Sequence, residues 1–144
     1  VVAMLSLESM GFFSDEPNSQ NYQPQVADQY PTVGNFIGVV SNTENKPLVD
    51  FTHAAMAQSG LIPVEKGALP GFLQGVGWSD HWSLWETGYP AVMITDTAPF
   101  RNPNYHKPTD TVETLDLKRH TAAVQATQAA IVQLANVERV PWVE

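Results

Sequence analysis

The sequence contains no cysteine. Disulfides and thiolate metal sites are thereby excluded, and a metal could be held only through His, Asp or Glu. Cations are scarce: 7 Lys and Arg stand against 15 Asp and Glu, a net charge of −8. Nucleic acid is bound by clustered cations that displace counterions, so this balance argues against a nucleic-acid partner. It is compatible with cationic ligands, metals and free amines among them, although solubility is the simpler account of the acidity. No apolar run reaches the roughly 18 residues of a membrane span, and no membrane partner is expected. No signal-peptide pattern opens the chain, but it begins at Val1 rather than at methionine, and an upstream segment is expected. Internal repeats and low-complexity tracts are absent.

What is present fits one domain over residues 1–144 with a hydrophobic core. Val1 to Leu7 is a near-continuous apolar run that predicts a strand buried on both faces, with Glu8 at its C-terminal end. From Phe12 to Gly34 the chain is polar, carries Pro17, Pro24 and Pro31, and predicts a long ordered loop. Asn35 to Val40 reads as a second strand. Residues 46–59 place Leu48, Phe51 and Ala55 on one helical face, with Gly60 as a stop. Ile62 to Leu69 reads as a third strand, Gly71 to Pro90 as a Gly- and Trp-rich loop, and Ala91 to Thr95 as a fourth, buried strand. Leu117, Val124 and Ile131, joined by Ala123, Ala130, Leu134 and Val137, predict one long amphipathic helix. The order β, loop, β, α, β, loop, β, α gives an α/β class with a mostly parallel mixed sheet flanked by helices. In such sheets ligands gather beyond the C-terminal ends of the strands. Glu8 lies at one such end, and Asp96 and the loop to His106 follow another.

Several side chains there could carry chemistry. His106 is a potential metal ligand, and Asp110 is close enough in sequence to orient its second nitrogen or to cap the following helix. Tyr105 could donate its hydroxyl to a developing oxyanion, or pack as an aromatic lid. Glu8 reads as a metal ligand, or as a solvated residue one step beyond its strand. Ser79, Asp80 and His81 are consecutive and point in different directions, so they are no catalytic triad. Asp80 and His81 read instead as hydrogen-bonding groups near a pocket, or as a polar turn that fixes the loop. Trp78, Trp82, Trp85 and Phe72 could wall an apolar pocket or pack the loop. His53 and His120 fall on predicted helices and read as structural.

Four segments in order carry a resemblance: Leu5-Ser6-Leu7-Glu8-Ser9-Met10-Gly11, Ser79-Asp80-His81, Gly88 to Asp96, and Tyr105-His106-Lys107-Pro108-Thr109-Asp110-Thr111. Together they resemble the C-terminal half of the zinc-dependent aminopeptidase superfamily, which also holds the glutaminyl cyclases. The resemblance runs through nearly the whole chain and implies the C-terminal portion of a three-layer sandwich. It implies that Glu8 is an acidic zinc ligand and His106 the last zinc-binding histidine. It implies that Tyr105 assists the substrate carbonyl, and that Asp80 belongs to the pocket loop. The implied substrate is a peptide or amino-acid derivative with a free N-terminus, and the implied location is secreted or periplasmic.

The sequence also departs from that family. The superfamily takes its other ligands and its general base from a histidine, a bridging aspartate and a Glu-Glu pair in an earlier half. This chain has neither a Glu-Glu pair nor a His-x-Asp. The intact domain is expected to bind one or two zinc ions, and this chain alone to bind zinc weakly or not at all and to be inactive. A non-catalytic module on the same fold and a glutaminyl cyclase remain alternatives. An apolar strand without its neighbours is expected to associate with a second copy through its exposed edge, or to limit solubility.

Overall fold

The computed structural model describes residues 1–138 and Trp142. Four strands, β1 (Met4–Glu8), β2 (Ile37–Asn42), β3 (Val64–Leu69) and β4 (Ala91–Thr95), form one sheet in the order β1-β4-β2-β3. The pairs β1–β4 and β2–β3 are parallel, and β2 runs antiparallel to β4 where the two pairs meet. The sheet is therefore mixed and mostly parallel. The helices are α1 (Lys46–Ala57), α2 (His81–Trp85), α3 (Ala98–Arg101) and α4 (Leu117–Ala135). None of the described helices is long and apolar enough to cross a membrane.

Strand alternation separates two faces. Ile37, Val39, Val92 and Ile94 point to one face, where they pack with Leu48, Val49 and Met56 of α1 and with Ala123, Ala126 and Ala130 of α4. The opposite face carries Gly38, Val40, Met93 and Thr95, and it builds the pocket described below. β4 is buried along its whole length because it lies between two strands. β1 differs from its sequence reading as a strand buried on both sides. It has one strand neighbour, and Leu7 is left 56% exposed.

The helices are set by local signals. The Asn42 side chain accepts the Asn45 amide, and Pro47 lies in the first turn of α1. Gly60, in the left-handed conformation at φ 64°, ends the turn beyond α1. Asp116 caps α4 by accepting the Arg119 amide at 2.9 Å, so Asp110 does not perform that role. α4 also corrects the expected apolar stripe. Its buried residues are Ala123, Ala126, Thr127 and Ala130, while Leu117, Val124 and Ile131 face outward. Small side chains on the i, i+3, i+4, i+7 face let α4 lie close to α1, and that packing selects the alanine face. The Gly71 to Pro90 segment is not all loop, because it contains α2.

The long segment between β1 and β2 is ordered by a side chain remote in sequence. Arg101 of α3 is almost fully buried. Its Nε donates to Gln20 Oε1 at 2.7 Å and its Nη1 to the Phe36 carbonyl at 2.8 Å, and its guanidinium lies over the Phe36 ring. Removing this side chain strands those acceptors and takes a positive charge away from Asp96. Arg101→Ala is expected to lower stability by about 3 kcal/mol, read as a lower urea midpoint with an unchanged m-value.

Candidate functional site

The parallel register aligns Glu8 with Thr95. The exit of β1 and the exit of β4 therefore lie side by side at one edge of the sheet. Asp96, the first residue after β4, is buried there and accepts the Gly11 amide at 2.8 Å and the Phe12 amide at 2.7 Å. Its own amide donates to the Ser9 carbonyl at 2.7 Å. These three bonds tie the two strand exits together, so the loop carrying Tyr105 and His106 starts from a fixed position relative to Glu8.

Glu8 is the last residue of its strand rather than a residue beyond it, and it is half-buried. Its Oε2 accepts from Ser79 Oγ at 2.9 Å, and Ser79 Oγ is 2.8 Å from Ser6 Oγ. Ser79 has one hydroxyl proton and commits it to Glu8, so Ser6 donates to Ser79. This chain orients the carboxylate. Its Oε1 meets Ser9 Oγ only at 3.4 Å and keeps acceptor capacity. Tyr105 lies near enough for its hydroxyl to feel both acids. Burial first, then the Glu8 and Asp96 charges, hold it above the ordinary tyrosine value. The phenol thus stays protonated at neutral pH and can donate. The His106 ring stacks on Tyr105 with centroids 3.8 Å apart and is exposed. His106 has φ 58°, Ser9 48° and Thr97 61°, so three of the four positive-φ non-glycine residues among those described flank this edge. Held strain of this kind concentrates at functional sites.

Other residues singled out from sequence fall elsewhere. His81 is fully buried, its Nε2 bonded to the Val76 carbonyl at 2.7 Å and its ring edge-on to Trp85. Burial lowers its pKa, and it packs the α2 turn rather than facing a pocket. Asp80 is exposed at the start of α2 and makes no side-chain cap there. Trp82 is 49% exposed and outside the pocket lining, whereas Trp78 lines the pocket and stacks on Phe100. Asp110 accepts from Asn102 Nδ2 at 3.3 Å and makes no bond to His106 among the described residues. His53 and His120 bond the Val64 and Met10 carbonyls. Ser79, Ser6 and Asp96 contribute roles that the sequence pattern does not assign. The signal for Asp96 was a carboxylate directly after the Ala91–Thr95 strand, apolar but for Thr95, whereas Ser79 meets Glu8 only through the fold.

The residues present do not complete a metal centre. Among the described residues no three His, Cys, Asp or Glu side chains come together as a ligand set. Glu8 and His106 are two donors of the right type, one fewer than a catalytic zinc site requires.

The profile described as Peptidase family M28 matches residues 2–132. An Escherichia coli K12 protein, YfbL, described as uncharacterized, is 38% identical over 125 residues, covering 86% of this chain and 39% of its own length. Two structures of the Legionella pneumophila LapA aminopeptidase superpose with TM-scores of 0.65 and 0.69 at 18% and 20% identity. They cover 96% and 95% of this chain but 32% and 33% of theirs. This chain thus spans between about a third and two fifths of the length of these relatives.

Asp96 also sets a pH dependence. Desolvation raises its pKa from 3.8 to about 6, against the opposing pull of the Phe12 and Gly11 amides and Arg101. Between those values the folded chain retains a proton that the unfolded chain has released. The Asp96 contribution to stability is therefore greatest below the lower value, falls as pH rises through the window, and levels off above it. The full change is about 3 kcal/mol. Urea titrations from pH 3.5 to 7 are expected to show this fall, and Asp96→Asn to flatten it. An undiminished slope in the variant would assign the titration to another group.

Proposed function

Because this chain belongs to peptidase family M28, we propose that it forms the C-terminal part of a zinc-dependent aminopeptidase. Its substrates are peptides with a free N-terminus. One observation carries this reading: Glu8, paired to Thr95 in register, and Tyr105, the neighbour of His106, line the same pocket at the C-terminal edge of the sheet. Glu8 and His106 contribute two ligands to a zinc centre whose remaining ligands lie outside the set this chain supplies. When bound, zinc would polarise the scissile carbonyl and acidify a water.

The chain's own residues then have defined tasks. Ser79, backed by Ser6, holds Glu8 in one orientation. Tyr105, kept protonated by burial and its acidic neighbours, donates to oxygen where negative charge develops. Asp96 holds the Tyr105 loop against the β1 exit. A second reading, a non-catalytic module on the same fold, is favoured by the absence of a three-ligand cluster among the described residues.

The two readings separate in the full-length protein loaded with zinc and given amino-acid p-nitroanilides. The peptidase reading expects hydrolysis that a chelator abolishes and zinc restores. Hydrolysis that ignores the chelator, or none from metal-replete protein, contradicts it. Tyr105→Phe is expected to lose about 10²-fold in kcat with a smaller change in KM. Ser79→Ala is expected to weaken zinc binding by about 10- to 100-fold, measured by competition with a chromophoric chelator.

A further inference from the structure

The floor of the pocket beside Glu8 is fixed by strand register. Glu8 pairs with Thr95, Thr95 with Gly38, and Gly38 with Glu65. One residue from each strand thus forms a row across the whole sheet, and all four line the same cavity. A carboxylate stands at each end of the row. Three strand spacings separate the ends, roughly 14 Å. Between them the floor is low and apolar. A Cβ built on Gly38 would meet nothing closer than 3.5 Å, and Met93, Val40 and Gly67 form the next row. The walls are aromatic: Tyr22 stacks on Tyr30 with centroids 5.6 Å apart, and Trp78 on Phe100 at 6.4 Å.

Glu65 at the far end is not neutralised by its neighbours. Strand alternation puts its side chain on the pocket face, while Lys66 points to the other face and binds Asp50 at 2.6 Å. Among the described residues no cation lies within ion-pair distance of Glu65. Its charge is felt by both wall tyrosines. Burial raises each hydroxyl, and Glu65 raises both further, opposed at Tyr22 by Arg101. Arg101 commits its Nε to Gln20 and its Nη1 to the Phe36 carbonyl, and its charge acts on Asp96 as well as on Tyr22.

We propose that this slot receives the side chain of the substrate's N-terminal residue and selects a lysine or arginine, its apolar stem lying over Gly38 and Met93 and its cationic tip reaching Glu65. The proposal rests on the reading of the Glu8 edge as the reaction centre. Each part of such a side chain meets its chemical match. The methylene stem covers apolar floor, as long cationic side chains do on protein surfaces. The tip meets the carboxylate and the aromatic faces beside it. A neutral apolar side chain would cover the Glu65 carboxylate without pairing it. An acidic one would be repelled by Glu65.

The test uses the full-length protein in two arms. In the first, hydrolysis of the p-nitroanilides of lysine, norleucine and aspartate is compared; norleucine keeps the four-carbon stem of lysine and lacks its charge. Lysine is expected to exceed norleucine at least tenfold in kcat/KM, with aspartate lowest. Glu65→Gln is expected to bring the lysine-to-norleucine ratio near one, and Glu65→Lys to invert it. A norleucine preference in the parent protein, or a ratio unmoved by both variants, overturns the proposal. The second arm needs no turnover: n-pentylamine and 1-pentanol binding are measured by calorimetry. The amine is expected to bind at least tenfold tighter, an advantage lost in Glu65→Gln. Equal binding, or an advantage that survives the substitution, overturns the proposal. Amine selectivity that depends on Glu65 in a protein without hydrolysis retains the slot and rejects the reaction. Hydrolysis without Glu65-dependent selectivity does the reverse.

Discussion

The parallel pairing of β1 with β4 is the constraint on which the rest depends. Two strands remote in sequence run in the same direction, so their C-terminal ends arrive at one edge, with Glu8 opposite Thr95. Such an arrangement leaves backbone amides at the strand exits without ladder partners. Asp96 takes two of them, from Gly11 and Phe12, on one carboxylate oxygen. A buried acid is costly in isolation, and these amides together with Arg101 offset much of that cost. The same residue thus serves the fold and sets where the Tyr105–His106 loop begins.

Arg101 extends the effect to the long segment after β1. It donates to Gln20 and to the Phe36 carbonyl, so the segment is held near its middle and at its C-terminal end by one buried side chain. Gly34 allows this approach. A Cβ there would lie 2.9 Å from Arg101 Nε. The segment in turn brings Tyr22 and Tyr30 over the sheet face that carries Gly38 and Gly67. The pocket therefore exists because the sheet face is low and a polar loop is pinned above it. No apolar helix covers that part of the face among the described residues.

Much of this was legible in the sequence. The apolar runs at Val1 to Leu7 and Ala91 to Thr95 marked β1 and β4, and Gly60 marked the stop after α1. The family resemblance came from four ordered segments and agrees with the M28 match. The errors have physical causes. Leu117, Val124 and Ile131 repeat at a helical spacing, but close approach of α4 to α1 selected the alanine face. For His81 the sequence left open a pocket group or a turn that fixes the loop, and a fully buried imidazole bonded to the Val76 carbonyl fits the second. The role of Ser79 and the row from Glu8 to Glu65 depend on strand order and register, which local pattern does not encode. Gly38 and Gly67 inside strands were a signal that something approaches closely there.

The central claim is that Glu8 and His106, delivered to one edge by the β1–β4 pairing, bind the same zinc ion. It is tested most directly by anomalous diffraction at the zinc edge from crystals of the zinc-loaded full-length protein. The account requires an anomalous peak about 2.0–2.2 Å from both a Glu8 carboxylate oxygen and a His106 ring nitrogen. A zinc peak bound elsewhere, with Glu8 held only by Ser79 and His106 left in solvent, would contradict it.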